Sequence, residues 1–372
     1  MSKKFNIFLS TLFCAFLGGM LVISTILPDK DFSELENREL SDVPKFSLKA
    51  VTEGKFMSDA EEYTSDHILG RDLWVSVKSW CERLTGKQEN NGVYFGQQDT
   101  LINRVENPDM ERLEQNMEYV DRLVSNLDIP IHFGLIPSSA EIWKDRLPEG
   151  APTADEKAII DRLCGMTRAE VIDLYGTLSQ HADEDIYYRT DHHWTSLGAY
   201  YGYAAVMDAL GMEPVALDSL TPTTVSEDFN GTIFSSSGVR WVEPDSIQTY
   251  IPEEGVEVTR YPEGKPVEGQ LYDESWLDKK DKYSYFLGGV QPLCTIQTQN
   301  TEAPKLLLIR DSYSDSLAPF LTQNFSEIHL WDLRWNLNSV QEYIAENDID
   351  NVVVLYSISN FLSDKNLFLL GR

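Results

Sequence analysis

The spacing of apolar positions changes several times along this 372-residue chain, and each change marks an element. A mostly apolar run from Phe5 to Leu27 is stopped by Pro28. At ~1.5 Å rise per residue, a helix of that length crosses a ~30 Å hydrocarbon layer. Asp29 to about Ala50 is polar without sustained periodicity and reads as a stalk. Apolar and aromatic residues then recur at helical spacing from Thr52 to Thr85 (Tyr63, Ile68, Leu73, Val77, Trp80, Leu84). The same spacing returns from Met110 to Leu127 (Leu113, Met117, Val120, Val124). Gly92 to Gly96 reads as a short strand ending in a turn. The run 129–137 has strand length, and Ser138 restarts a helix. Thr153 to Cys164 is a second helix, Glu170 to Leu174 a strand, and Thr195 to Leu210 a helix.

From Asp218 to Thr301 the character shifts: Gly, Pro, Thr and Ser rise, β-type runs appear, and no helix is evident. Alternation then resumes. Lys305 to Ile309 is a strand, Ser314 to Gln323 a helix and Glu327 to Trp331 a strand; Asn338 to Glu346 is a helix and Asn351 to Tyr356 a last strand. Strands alternating with helices predict an α/β domain whose mainly parallel sheet is covered on both faces. Ligands in such sheets bind beyond the carboxyl ends of the strands. The expected organisation is an anchor or signal peptide at 1–28, a stalk at 29–50, and a catalytic domain at 51–372 carrying a β-rich or irregular insertion at about 218–301. There is no internal repeat.

Lys3 and Lys4 precede the apolar run, while Asp29, Asp31, Glu34 and Glu36 follow it. That asymmetry keeps the N-terminus cytoplasmic and exports the rest. A cleaved signal peptide is the competing reading, in which case the protein is secreted. The run is longer than a usual signal core, and Ser24-Thr25-Ile26-Leu27-Pro28 is a poor small-x-small cleavage site, so an uncleaved anchor is expected. Thr11-Leu12-Phe13-Cys14 also lacks the small residues of a lipoprotein signal.

A formal net charge of -29 argues against nucleic acid, whose phosphates are met by Lys and Arg. Cys14, Cys81, Cys164 and Cys294 are isolated and show no zinc-ligand spacing.

Only six histidines occur, and two are adjacent in Asp191-His192-His193-Trp194. Imidazole is matched to proton transfer near neutral pH, and a carboxylate beside it fixes its tautomer, so Asp-x-His is half of a candidate triad. The other half is Lys305-Leu306-Leu307-Leu308-Ile309-Arg310-Asp311-Ser312, an apolar strand running into Asp-Ser and then a helix. Ser312 stands at the strand's carboxyl end, beside the free N–H groups of a helix N-terminus. Taken alone, Asp311 or Ser312 reads first as a helix cap; the pairing with Asp-x-His at the edge of the same kind of sheet favours the nucleophile.

The Asp191-to-Trp194 block resembles the signature of the bacterial DHHW family, which is similar to the SGNH-type alginate O-acetylation proteins of the SGNH/GDSL hydrolase-like superfamily. Ser33-Glu34-Leu35-Glu36-Asn37-Arg38-Glu39-Leu40, Asp66-His67-Ile68-Leu69-Gly70-Arg71, Arg310-Asp311-Ser312-Tyr313-Ser314 and Asp332-Leu333-Arg334 extend the resemblance over most of the exported region. It implies an SGNH-like three-layer α/β/α domain with permuted motif order, since Asp-x-His here precedes Ser. It also implies Ser312, His193 and Asp191 as the triad, with His192 in a packing or hydrogen-bonding role. The implied activity is O-acetylation of a cell-surface polysaccharide, the acetyl group being supplied by a membrane-bound O-acyltransferase. No cofactor or metal is called for. Arg310 replaces the glycine of Gly-Asp-Ser. Gly96 is a candidate oxyanion donor, Trp194 a candidate pocket wall and Arg334 a candidate holder of an anionic group, each against a plainer structural role. Tyr187, Tyr188 and Trp241 are core aromatics by default and sugar-stacking surfaces otherwise.

The same triad passing its acyl group to water makes an esterase. A silent glycan-binding scaffold of a surface-polymer machine is a second class, which the joint presence of Ser, His and Asp argues against. A metal hydrolase built on Asp191, His192 and His193 is disfavoured, because adjacent histidines rarely converge on one ion.

Overall fold

The computed structural model describes residues 3–33 and 35–372; Met1, Ser2 and Glu34, the last in the motif that follows the anchor, lie outside the described residues. The chain forms two compact units, Met1–Asn91 with Phe234–Trp241, and Gly92–Ile233 with Val242–Arg372.

In the first unit, helix α1 (Lys3–Ile26) is long and apolar enough to cross a membrane, and none of its side chains is buried. Helices α2 (Lys55–His67) and α3 (Arg71–Leu84) follow. Residues 29–50, expected as a stalk, are tied down by ion pairs that join two of the motifs. Arg38 Nε lies 2.8 Å from Glu36 and its Nη1 3.0 Å from Asp66, while Arg71 Nη2 reaches Glu36 at 2.7 Å. Burial raises the pKa of Asp66, but its hydrogen bonds to Arg38 and Ser41 outweigh this and hold it near 2.

The second unit is built on an eight-stranded sheet. In chain order its strands are β1 (Ile131–Ile136), β2 (Glu170–Val171), β3 (Val256–Arg260), β4 (Val267–Gly269), β5 (Leu293–Thr298), β6 (Lys305–Arg310), β7 (Glu327–Trp331) and β8 (Asn351–Ser357). They lie in the order β4-β3-β5-β7-β6-β8-β1-β2. The run from β7 to β2 is parallel, and β4, β3 and β5 add an antiparallel edge. Within segment 218–301, strands β3, β4 and β5 extend the sheet, while Phe234–Trp241 belongs to the first unit. The segment also contains the hairpin Thr223–Phe229/Asp245–Thr249 and a short helix, Thr232–Ser237, that its composition conceals.

Helices cover both faces. The principal ones are α4 (Met110–Asn126), α5 (Glu156–Cys164), α6 (Ser196–Ala209), α7 (Ser314–Leu321), α8 (Val340–Asn347) and α9 (Ile358–Ser363). Side chains alternate across a strand, so Leu306 and Leu308 of β6 join α6 and α7 in one core. Leu307 and Ile309 join α4, α5 and α8 in the other. Covering both faces is why β6 is apolar at every position from Leu306 to Ile309. The strand expected over 170–174 stops at Val171, because the Asp173 carboxylate accepts from Gly176 N at 2.8 Å and caps a helix instead.

Candidate active site

The residues leaving β6 and β8 meet the Asp191–Trp194 loop to build the site. At the end of β6 the buried Asp311 carboxylate accepts from Ser357 N (2.8 Å), Ser357 Oγ (2.6 Å) and Asn360 Nδ2 (2.8 Å), and its other oxygen accepts from Tyr313 N (3.1 Å). Asp311 thus ties the β6 turn to the end of β8 and the start of α9. Tyr313 is the residue in the N-cap position of α7, and it makes no side-chain cap. Ser312 is left free to point elsewhere.

It points at His193. Ser312 Oγ lies 2.9 Å from His193 Nε2, and His193 Nδ1 lies 2.6 Å from Asp191 Oδ1. The same carboxylate oxygen accepts the His193 backbone N–H at 3.0 Å. This network assigns the proton to Nδ1 and leaves Nε2 to accept from the serine hydroxyl. Asp191 and His193 are buried, whereas Ser312 is partly accessible. Burial alone raises the Asp191 pKa; the charges of His192 and His193 and the hydrogen bonds from His193 and Thr232 N outweigh it, holding the carboxyl far below its ordinary range.

Three residues absent from the sequence reading complete the arrangement. Thr232 gives Asp191 Oδ2 its N–H (2.7 Å) and its hydroxyl (3.0 Å). Gly231 allows that approach, since a Cβ there would lie 2.3 Å from Asp191 Cβ and Oδ2. Tyr283 stacks on His193 with ring centroids 3.7 Å apart and planes 6° from parallel, and its hydroxyl donates to Ser312 O at 3.1 Å. All three come from the irregular stretch 218–301. The only local signal is Gly231 before Thr232, a pattern common to ordinary turns.

His192 is turned away from Ser312. Its Nδ1 is 2.6 Å from Thr232 Oγ1, so the hydroxyl that donates to Asp191 accepts from His192. About 36% of its side chain remains exposed; the protein packed around the rest, together with the His193 charge, lowers its pKa to about 4. Trp194 is fully buried rather than a pocket wall. Its Nε1 donates to Tyr313 O (2.9 Å) and Ser316 Oγ (3.1 Å), fastening the histidine loop to the Ser312 turn. Gly202 on α6 accommodates the indole, since a Cβ there would lie 2.6 Å from it.

Gly96 sits in the hairpin Val93–Phe95/Leu101–Asn103, and its N–H donates to Thr100 O at 2.9 Å, which leaves no free donor there. Ser312 N–H, by contrast, donates to no protein group among the described residues. Arg334 grips the buried Asp332 through Nε (2.9 Å) and Nη2 (2.6 Å), a bidentate pair that already occupies its fork. Arg310, in the glycine position, is fully buried and pairs with Asp315 at 2.8 Å; burial pushes the Asp315 carboxyl up to about 6 despite that neighbour. Tyr187 and Tyr188 are buried.

Asp191, His192 and His193 lie close enough to share an ion. Their donors are committed, however: both Asp191 oxygens, both His193 nitrogens and His192 Nδ1 already serve the network above. A cleft of about 590 Å³ opens beside the relay, lined by His192, Tyr313, Ser138, Glu156, Asn107 and Ser359 among others.

Known proteins provide the context. No curated protein matches the sequence. A DHHW-family protein from Eubacterium siraeum superposes with a TM-score of 0.65 at 23% identity, over 76% of this chain and 95% of its own. Bacillus cereus PatB1 superposes at 0.62 with 23% identity, over 73% and 97%. PatB1 carrying a sulfonyl adduct gives 0.61 at 22% identity, over 74% and 98%. These likenesses establish a shared fold. The DHHW protein family profile matches residues 135–331, more than half of the sequence and nearly all of the site, and the chain belongs to that family.

Proposed function

We propose that this protein is an extracytoplasmic acyltransferase in which Ser312, His193 and Asp191 act as a triad, and that it O-acetylates a cell-surface polysaccharide. The observation that carries the reading is the continuous relay from Asp191 through His193 to Ser312, with hydrogen bonds of 2.6 and 2.9 Å at the carboxyl end of a parallel strand. Ser312 Oγ attacks the acetyl carbonyl as His193 Nε2 takes its proton, while Asp191 holds the imidazole and supports its positive charge. Ser312 N–H, which donates to no described protein group, is the proposed donor to the developing oxyanion. His193 returns the proton to the leaving group, and acetyl-Ser312 results. A sugar hydroxyl then gives its proton to His193 and attacks the ester, restoring Ser312. The apolar α1 helix supports a single-pass anchor, and Lys3 and Lys4 ahead of it favour a site outside the membrane; the acetyl donor in this reading is a membrane-bound O-acyltransferase.

Water in place of the sugar makes the same relay an esterase, and one experiment separates the two. The full chain in detergent is incubated with an acetyl ester and candidate surface glycans. Transfer predicts acetylated glycan; acetate release with the glycan unmodified establishes the esterase instead.

A further inference from the structure

A second cavity of about 790 Å³ lies in the same unit and shares no lining residue with the cleft lined by His192 and Tyr313. Arg146 lines it from the turn Lys144–Arg146 and is only 4% exposed. Its guanidinium lies over the Trp143 ring, 3.7 Å from the centroid, yet makes no hydrogen bond or ion pair with any described residue. A guanidinium keeps its charge; burial lowers its pKa, and Asp185 and Asp145 act on it only through their charge, without a hydrogen bond to it. The other charged groups around the cavity are largely engaged. Arg189 is held by Asp245 at 3.2 Å, and Glu184 by His181 at 2.7 Å and Tyr201 at 2.9 Å. Arg146 is thus the uncommitted cation of the lining, held flat by an indole and open to the cavity.

We propose that this cavity is a second binding site, separate from the triad, for a carboxylate-bearing sugar residue. The planar fork of Arg146 matches a carboxylate in bidentate geometry. Asp185 and Gln98, also in the lining, present acceptors to the ring hydroxyls of the same residue. Tyr187, Tyr188, Thr195 and Ser196 flank the Asp191–Trp194 loop and form one wall, so an occupant braces the loop from behind without entering the acyl-transfer cleft. The site thus gives an acidic polymer a hold apart from the point of acetylation.

Isothermal titration of the full chain in detergent tests this with a short glucuronate-containing oligosaccharide, its neutral glucose counterpart and acetate. The expected result is acidic-sugar binding at least about tenfold tighter than either control. That preference is expected to vanish in Arg146→Met, weaken in Arg146→Lys and persist in Ser312→Ala. Arg146→Met is expected to hydrolyse p-nitrophenyl acetate at the wild-type rate. No binding to wild type, equal binding of the neutral sugar, or full binding by Arg146→Met overturns the proposal. Acetate binding as tightly as the acidic sugar reduces the site to an adventitious anion site and also overturns it. The wild-type comparison and Arg146→Lys decide the matter if Arg146→Met does not fold.

Discussion

Thr232→Val removes a single hydroxyl from behind the relay. In the native arrangement that hydroxyl stands 3.0 Å from Asp191 Oδ2 and 2.6 Å from His192 Nδ1. A hydrogen bond to a charged acceptor is worth ~1.5–3 kcal/mol. Asp191 retains three donors in the variant: Thr232 N at 2.7 Å, His193 Nδ1 at 2.6 Å and His193 N at 3.0 Å. The low end of that range is therefore the appropriate figure, and ~1.4 kcal/mol corresponds to about tenfold in kcat/KM. The loss should appear mainly in kcat, because the imidazolium that Asp191 supports develops only in the transition state. Valine fills the same volume, so circular dichroism should match the wild type. Thr232→Ser keeps the hydroxyl and should stay within about threefold of the wild type. The assay is hydrolysis of p-nitrophenyl acetate as a function of pH. Wild-type activity in Thr232→Val, or equal damage from valine and serine, would refute the view that Asp191 is held from behind.

Three other outcomes follow from the same geometry. Ser312→Ala and His193→Ala should each lower turnover by roughly 10³ or more in a folded protein, by analogy with triad deletions; wild-type turnover in both sinks the triad. Gly231→Ala drives a Cβ to 2.3 Å from Asp191; the displaced carboxylate should cost about a hundredfold in kcat/KM, and unchanged kinetics would show that the loop yields freely. Glu156 is buried, and burial raises its pKa from 4.5 to about 7. The folded state then holds this proton more tightly than the unfolded chain. Its contribution is fully present below the unfolded pKa and is lost as pH rises through about 7, by roughly 3 kcal/mol at most. Glu156→Gln should remove that part of the pH dependence in urea unfolding, and an unaltered slope contradicts the assignment.

The parts legible in the sequence are those whose signal is local and repeated. Leu306 to Ile309 are apolar on both faces because both are covered, and Asp311-Ser312 follows directly, so the strand and its turn were both readable. Asp191 and His193 stand two residues apart and fold onto each other. The residues with no local signature act only through tertiary contact. Thr232 and Tyr283 lie 41 and 90 positions beyond Asp191 and His193 respectively, in a stretch without sustained periodicity, and nothing around either names its partner. In the sequence Arg310 is only a departure from glycine; its pairing with Asp315 depends on where α7 begins. The strand expected over 170–174 gave way to the Asp173 cap, a side-chain hydrogen bond that overrode the local pattern. For Gly96, residue type was the only basis for a donor role, and the Thr100 carbonyl already takes its N–H.

The central claim is that Ser312 carries the acyl group, and it is tested most directly by trapping the intermediate. The full chain is mixed with an acetyl ester, quenched in acid during the first turnover, digested, and its peptides weighed. The account predicts one added acetyl group on the peptide containing Ser312, lost when a glycan acceptor or time is allowed, and absent in Ser312→Ala. Turnover of the ester with no acetyl on Ser312, or with the same adduct surviving in Ser312→Ala, contradicts it.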